Sequence, residues 1–120
     1  MADRVLFISW GMTARGREAQ GLEVFNEALG YYGRAQQEGR IEGFDVALMD
    51  PNGTLDGYIQ IRGTAQQLAD LRQEDEFRRN MADAFLIVDD LRICEGAIND
   101  GVAREMEVYQ EAISKVPQSA

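Results

Sequence analysis

Four consecutive turn-formers, Asp50-Pro51-Asn52-Gly53, separate two β-rich segments, residues 41–49 and 55–62. Proline presets its own φ, and Asn-Gly tolerates the positive φ of tight turns, so the two segments are predicted to pair as an antiparallel hairpin. This pairing makes two strands neighbours in the middle of the chain, and the remaining elements must be arranged around them. Residues 4–10 (Arg-Val-Leu-Phe-Ile-Ser-Trp) are short, apolar and rich in β-formers, and residues 90–97 alternate; both are predicted strands. Between the first strand and the hairpin, Leu22, Phe25, Leu29 and Tyr32 recur at steps of three and four, widened by Val24, Ala28 and Tyr31. That spacing predicts a helix over 17–38, weakened at Gly30 and Gly33 so that it bends or ends early, with Gly39 as its stop.

After the hairpin, Thr64 can cap a helix over 65–72 that carries Leu68 and Leu71, and Phe77, Met81 and Phe85 mark a second one over 75–86. Asn99 or Asp100 can cap a last helix over 101–115, striped by Val102, Met106, Tyr109, Ile113 and Val116. The order is β-α-β-β-α-β followed by a helix. It predicts an α+β, ferredoxin-like topology, with a four-stranded antiparallel sheet and helices on one face. With 120 residues, 45% apolar and 28% charged, the chain suits one domain over 1–120, with its core in about 3–98.

Alternation sorts the strand residues to two faces. Leu6, Ile8, Phe44, Val46, Leu48, Leu55, Ile59, Ile61, Leu91 and Ile93 form an aliphatic set that must meet the helices. The opposite face carries Phe7, Met49, Tyr58 and Cys94 beside Asp45, Gln60, Arg62 and Arg92. That mixture is too apolar for a solvated surface and too polar for a core, and it suits a partner sheet with a pocket between. On this face Phe7, Tyr58, Gln60, Arg62, Arg92 and Cys94 are the candidate ligand-binding residues, with the guanidiniums suited to a carboxylate or enolate. Asp45 is the candidate catalytic base; an Arg–Asp salt bridge across strands is its structural alternative. Trp10 could join Tyr58 in an aromatic wall, although strict alternation puts it on the helix side.

The element order, the length and the passage from Glu76-Phe77-Arg78-Arg79 to Leu86-Ile87-Val88-Asp89-Asp90-Leu91-Arg92 resemble the dimeric α+β barrel superfamily over residues 3–98. The resemblance implies a homodimer whose two sheets pack face to face, often around a ligand cavity. It also implies relatives of several kinds: cofactor-free monooxygenases of the antibiotic-biosynthesis type, haem-degrading enzymes, muconolactone isomerase-like proteins and stress-responsive proteins. The haem-degrading members bind iron through histidine, and this chain has no histidine. The expectation is therefore a dimer that binds a small anionic or aromatic molecule between its sheets, without cofactor or metal. If catalytic, it is an oxygenase or isomerase; the alternative is a non-catalytic dimeric interaction module with a filled interface.

Composition narrows the chemistry further. Without histidine, imidazole bases, His-based triads and His-ligated zinc are excluded. The single cysteine, Cys94, cannot form a disulfide within the chain and suits a reducing cytoplasm; it reads as a packed thiol unless Arg92 activates it. A net charge of −9 disfavours nucleic acid and anionic membranes as partners. In the segment Gly11 to Glu18, Arg17 and Glu18 stand where a phosphate loop needs Lys and Ser or Thr. Asp89 and Asp90, adjacent on an extended chain, point apart and do not chelate together with Asp83.

Overall fold

The structure, a computed structural model, describes every residue except Gln118 and Ala120. The chain runs β1 (Arg4–Trp10), α1 (Glu18–Gln37), β2 (Gly43–Leu48), β3 (Gly57–Gly63), α2 (Ala65–Gln73), α3 (Asp75–Phe85), β4 (Arg92–Ala97) and α4 (Asp100–Ser114). The four strands form one antiparallel sheet in the order β2-β3-β1-β4. This is the predicted ferredoxin-like arrangement.

Leu6 and Ile8 of β1 lie opposite Ile61 and Ile59 of β3 in the ladder. With Ala28, Tyr31, Tyr32 and Ala35 of α1, Leu68 and Leu71 of α2 and Phe77 of α3, they form the buried core. The helices lie on the aliphatic side of the sheet, as alternation requires, but the expectation that Val46 and Leu48 meet them is corrected: on the edge strand β2 both stay exposed. Helix α1 continues unbroken past Gly30 and Gly33 to Gln37. Its four buried residues straddle the two glycines, and their packing outweighs the local cost of about 1 kcal/mol per glycine. Gly39, at φ +73°, then ends it as expected.

Helix α2 begins with a capping box. Thr64 Oγ1 accepts from Gln67 N at 3.1 Å, and Gln67 Oε1 accepts from Thr64 N at 2.9 Å. Glu74 joins α2 to α3. Its carboxylate accepts the Tyr31 hydroxyl at 2.6 Å and two bonds from Arg40 at 2.8 Å, which clamps the α2–α3 junction to α1. Burial, followed by this bond to an anion, pushes the Tyr31 hydroxyl well above the ordinary phenol range. Burial does the same to Tyr32, whose hydroxyl has no partner among the described residues.

Three local expectations are corrected. The β2–β3 connection is an eight-residue loop, 49–56, wider than the four-residue turn. The Asn52 side chain organises it, accepting from Thr54 N, Thr54 Oγ1 and Leu55 N while donating to the carbonyls of Asp50 and Leu55. Strand β2 therefore stops at Leu48, and Met49 leaves the mixed face. At the start of α4, Asn99 occupies the cap position but makes no cap bond; its amide instead donates to the Ala2 carbonyl at 2.7 Å.

Helix α4 meets the body through its first two turns. Gly101 is buried against the Asp3 carbonyl, and ion pairs Arg104–Asp3 and Arg4–Glu105 flank it. Its apolar stripe, Val102, Met106, Tyr109, Ile113 and Val116, is exposed. The projecting helix raises the radius of gyration to 17.0 Å, against about 14 Å for a compact chain of this length.

Candidate functional site

The register brings every predicted site residue onto one sheet face. Ala47, Tyr58, Ser9 and Arg92 form one cross-strand row; Asp45, Gln60, Phe7 and Cys94 form the next; Gly43, Arg62, Val5 and Gly96 form the third. The rings of Phe7 and Tyr58 sit with centroids 5.2 Å apart at an interplanar angle of 32°. Both are half-buried on a face that carries no helix layer. Cys94 and Arg92, on the edge strand β4, are exposed.

The polar pair on this face is a salt bridge. Arg62 Nη1 donates to Asp45 Oδ2 diagonally across β2 and β3. The guanidinium lies over Gly43, where a β-carbon would collide with it. The Asp45 side chain is 59% exposed. In the single chain, then, Asp45 is a solvated carboxylate held by the Arg62 guanidinium, the salt-bridge alternative.

Trp10 and Tyr58 do not share a wall. Trp10 lies on the helix side, its ring 5.9 Å from that of Phe25 at 62°. Its ladder partner is Gly57. A β-carbon there would stand 2.8 Å from Trp10 Cζ2 and 2.8 Å from the Ala47 carbonyl oxygen, so only glycine leaves room for the indole.

Trp10 borders a cavity of about 620 Å³ between the sheet and helices α1 and α3. Ile8 and Ile59 form its floor; Leu22, Phe25 and Ala28 of α1 and Met81 and Ala84 of α3 form its walls. The loop after β2 contributes Met49, Pro51 and Asn52. The opposite rim is held by two chain segments paired to each other, through Gly11 N to Asp89 O at 2.8 Å, Ala14 N to Ile87 O at 2.7 Å and Asp89 N to Met12 O at 2.8 Å. The charged residues in the lining are Glu18 and Asp56, both acidic. None of the residues predicted on the mixed face lines this space, apart from Met49. The size and the apolar lining with few polar groups are those of a small-molecule site.

Sequence reasoning placed Trp10 on the helix side but missed the cavity. The available signal was small residues on inward helix faces: Ala28 and Ala84 stand where larger apolar residues would fill the layer.

No protein-family model and no curated protein sequence matches this chain. Solved structures do match its fold. One is a dimeric protein of unknown function and ferredoxin-like fold from Bacteroides fragilis, at 12% identity and TM-score 0.59, covering 79% of this chain and 96% of that one. Another is a hydroxynitrile lyase from Passiflora edulis, at 10% identity and TM-score 0.61, covering 82% and 96%. A third is SnoaB, a cofactor-independent oxygenase from Streptomyces nogalater, at 16% identity and TM-score 0.51, covering 82% and 93%. At such identities the likeness is one of fold. The chain has the ferredoxin-like α+β fold shared by these proteins, with a helix-free sheet face on one side and an apolar cavity on the other.

Proposed function

We propose that this chain is the subunit of a homodimer and that it holds a small, neutral, apolar or aromatic molecule in the cavity between its sheet and helices α1 and α3. The cavity itself carries the reading: about 620 Å³ lined by aliphatic, aromatic and methionine side chains, with acidic charge alone in its lining. Glu18 and Asp56 oppose an anion there, so of the two ligand classes the sequence suggests, the aromatic one suits this space. The mixed sheet face is then the surface turned to a second copy. Its half-buried Phe7–Tyr58 pair and its internally neutralised Arg62–Asp45 pair suit burial against another sheet. The dimeric neighbour of the same fold supports this.

A second reading places the ligand between the sheets, where Tyr58, Gln60, Arg62 and Arg92 from two copies would surround an anion and Asp45 would accept a proton. The gathering of these residues on one face supports it. In either reading a catalytic form is an oxygenase or isomerase of the cofactor-free kind, which SnoaB exemplifies for the fold.

Two measurements test the proposal together. Native mass spectrometry reads the oligomer, and Phe7→Asp is expected to convert a dimer to monomer. The single tryptophan, Trp10, borders the cavity and serves as an intrinsic reporter. The neutral dye N-phenyl-1-naphthylamine is expected to bind and quench it, and Ala84→Phe is expected to abolish that binding by filling the space. Equal dye binding by wild type and Ala84→Phe would remove the cavity as the ligand site; an anionic dye blocked by Arg62→Ala would favour the inter-sheet reading.

A further inference from the structure

The cavity wall is interrupted by one buried polar side chain, Asn80 on α3, which is 6% exposed. A primary amide offers two donor hydrogens and a carbonyl oxygen with two lone pairs. Asn80 Nδ2 donates to the Val24 carbonyl of α1 at 3.0 Å, which ties the two helices and decides which end of the amide is nitrogen. The amide oxygen accepts no hydrogen bond among the described residues. The fully enclosed side-chain atoms that lack a partner are Asp3 Oδ1 and Tyr32 OH. The Asn80 oxygen is not one of them, so it keeps accessible surface although its residue is almost wholly buried.

We propose that Asn80 Oδ1 is the hydrogen-bond acceptor of the cavity and makes it selective for a neutral apolar molecule that carries a hydroxyl or N–H donor. The inference rests on the cavity being the ligand site. An apolar molecule without a donor would strip water from this oxygen and leave it unpaired, which costs more than the bond itself is worth. A carboxylate presents only acceptors to the same oxygen and shares the space with Glu18 and Asp56. Asn80 is thus a specificity-determining residue that also fastens α3 to α1.

A matched pair of probes tests this: 2-naphthol and 2-methylnaphthalene share a ring system and differ by a hydroxyl in place of a methyl. Their dissociation constants come from displacing N-phenyl-1-naphthylamine from the wild type and from Asn80→Leu. The wild-type preference for naphthol over methylnaphthalene is expected to fall about three- to tenfold in Asn80→Leu, with methylnaphthalene binding kept. Should that variant fail to fold, isotope-labelled wild type supplies the answer by NMR. The Asn80 side-chain amide resonances are expected to shift with naphthol and to stay in place with methylnaphthalene. An unchanged preference, or equal amide shifts with both probes, overturns the role of Asn80. If neither probe displaces the dye, the cavity reading itself falls, and this inference with it.

Discussion

Tyr31 and Tyr32 are neighbours on α1, are both buried in the core, and are predicted to respond with opposite sign to the same substitution. Tyr31 donates its hydroxyl to the Glu74 carboxylate at 2.6 Å, whereas the Tyr32 hydroxyl is enclosed without a partner. Removing the Tyr31 hydroxyl forfeits a charge-assisted bond. Glu74 is a third exposed and keeps its two Arg40 bonds, so the loss sits at or just below the lower end of the range for bonds to charged groups, at about 1–1.5 kcal/mol. Removing the Tyr32 hydroxyl relieves an unpaid desolvation cost of about 1 kcal/mol or more. For a chain of this length, about 4 °C of Tm corresponds to 1 kcal/mol. Tyr31→Phe should therefore lower Tm by about 4–6 °C and Tyr32→Phe should raise it by about 4 °C, measured by circular dichroism at neutral pH and one protein concentration. A Tyr32→Phe variant that melts as low as Tyr31→Phe would refute the reasoning, because it would mean that a buried water already pairs the hydroxyl.

The same two phenols predict the alkaline limit. Their folded-state pKa values lie above the unfolded value of about 10, so below that pH both states hold the proton and the stability they confer is fully present. As pH climbs past it, the unfolded chain releases protons that the fold retains, and stability is lost; the urea midpoint should fall between about pH 9 and pH 11, and less steeply in Tyr32→Phe. Thr64→Ala removes the capping box of α2 and should cost about 1 kcal/mol in urea unfolding, while Thr64→Ser should restore most of it. Gly57→Ala forces a β-carbon against Trp10 and the Ala47 carbonyl, and should cost about 1–3 kcal/mol with a shift in Trp10 emission; unchanged emission would show that the indole does not rest there.

Strand and helix order was legible because it depends on local periodicity, turn residues and caps. Thr64 with Gln67, Gly39 after α1, and the alternation of Leu6-Phe7-Ile8 with Ile59-Gln60-Ile61 carry that information within a few residues of where it acts. The same alternation placed the seven candidate site residues together, since a β-strand cannot turn one side chain without turning the next; Met49, past the end of β2, was the exception. The early end allowed at Gly30 and Gly33 did not occur, because Tyr31 and Tyr32 are anchored by residues far along the chain, Glu74 and Phe44, which no local window contains. The course of α4 was likewise open: its stripe suits its own sheet or a partner equally, and the fold spends its helix-covered sheet face on α1, α2 and α3, while α4 meets the body at Gly101 and through the Asp3–Arg104 and Arg4–Glu105 pairs.

Chain-local chemistry thus determined the ferredoxin-like layout, the two-faced sheet and the exclusion of histidine chemistry. Tertiary structure alone decided where empty space lies. A cavity is the absence of side-chain atoms among residues that are distant in sequence, here Ala28 and Ala84 over Ile8, Trp10 and Ile59. Its single buried amide, Asn80, looks in the sequence like one more polar position on an amphipathic helix. Only the packing of α3 against α1, which pairs the amide nitrogen with Val24, leaves that position with an oxygen to spare.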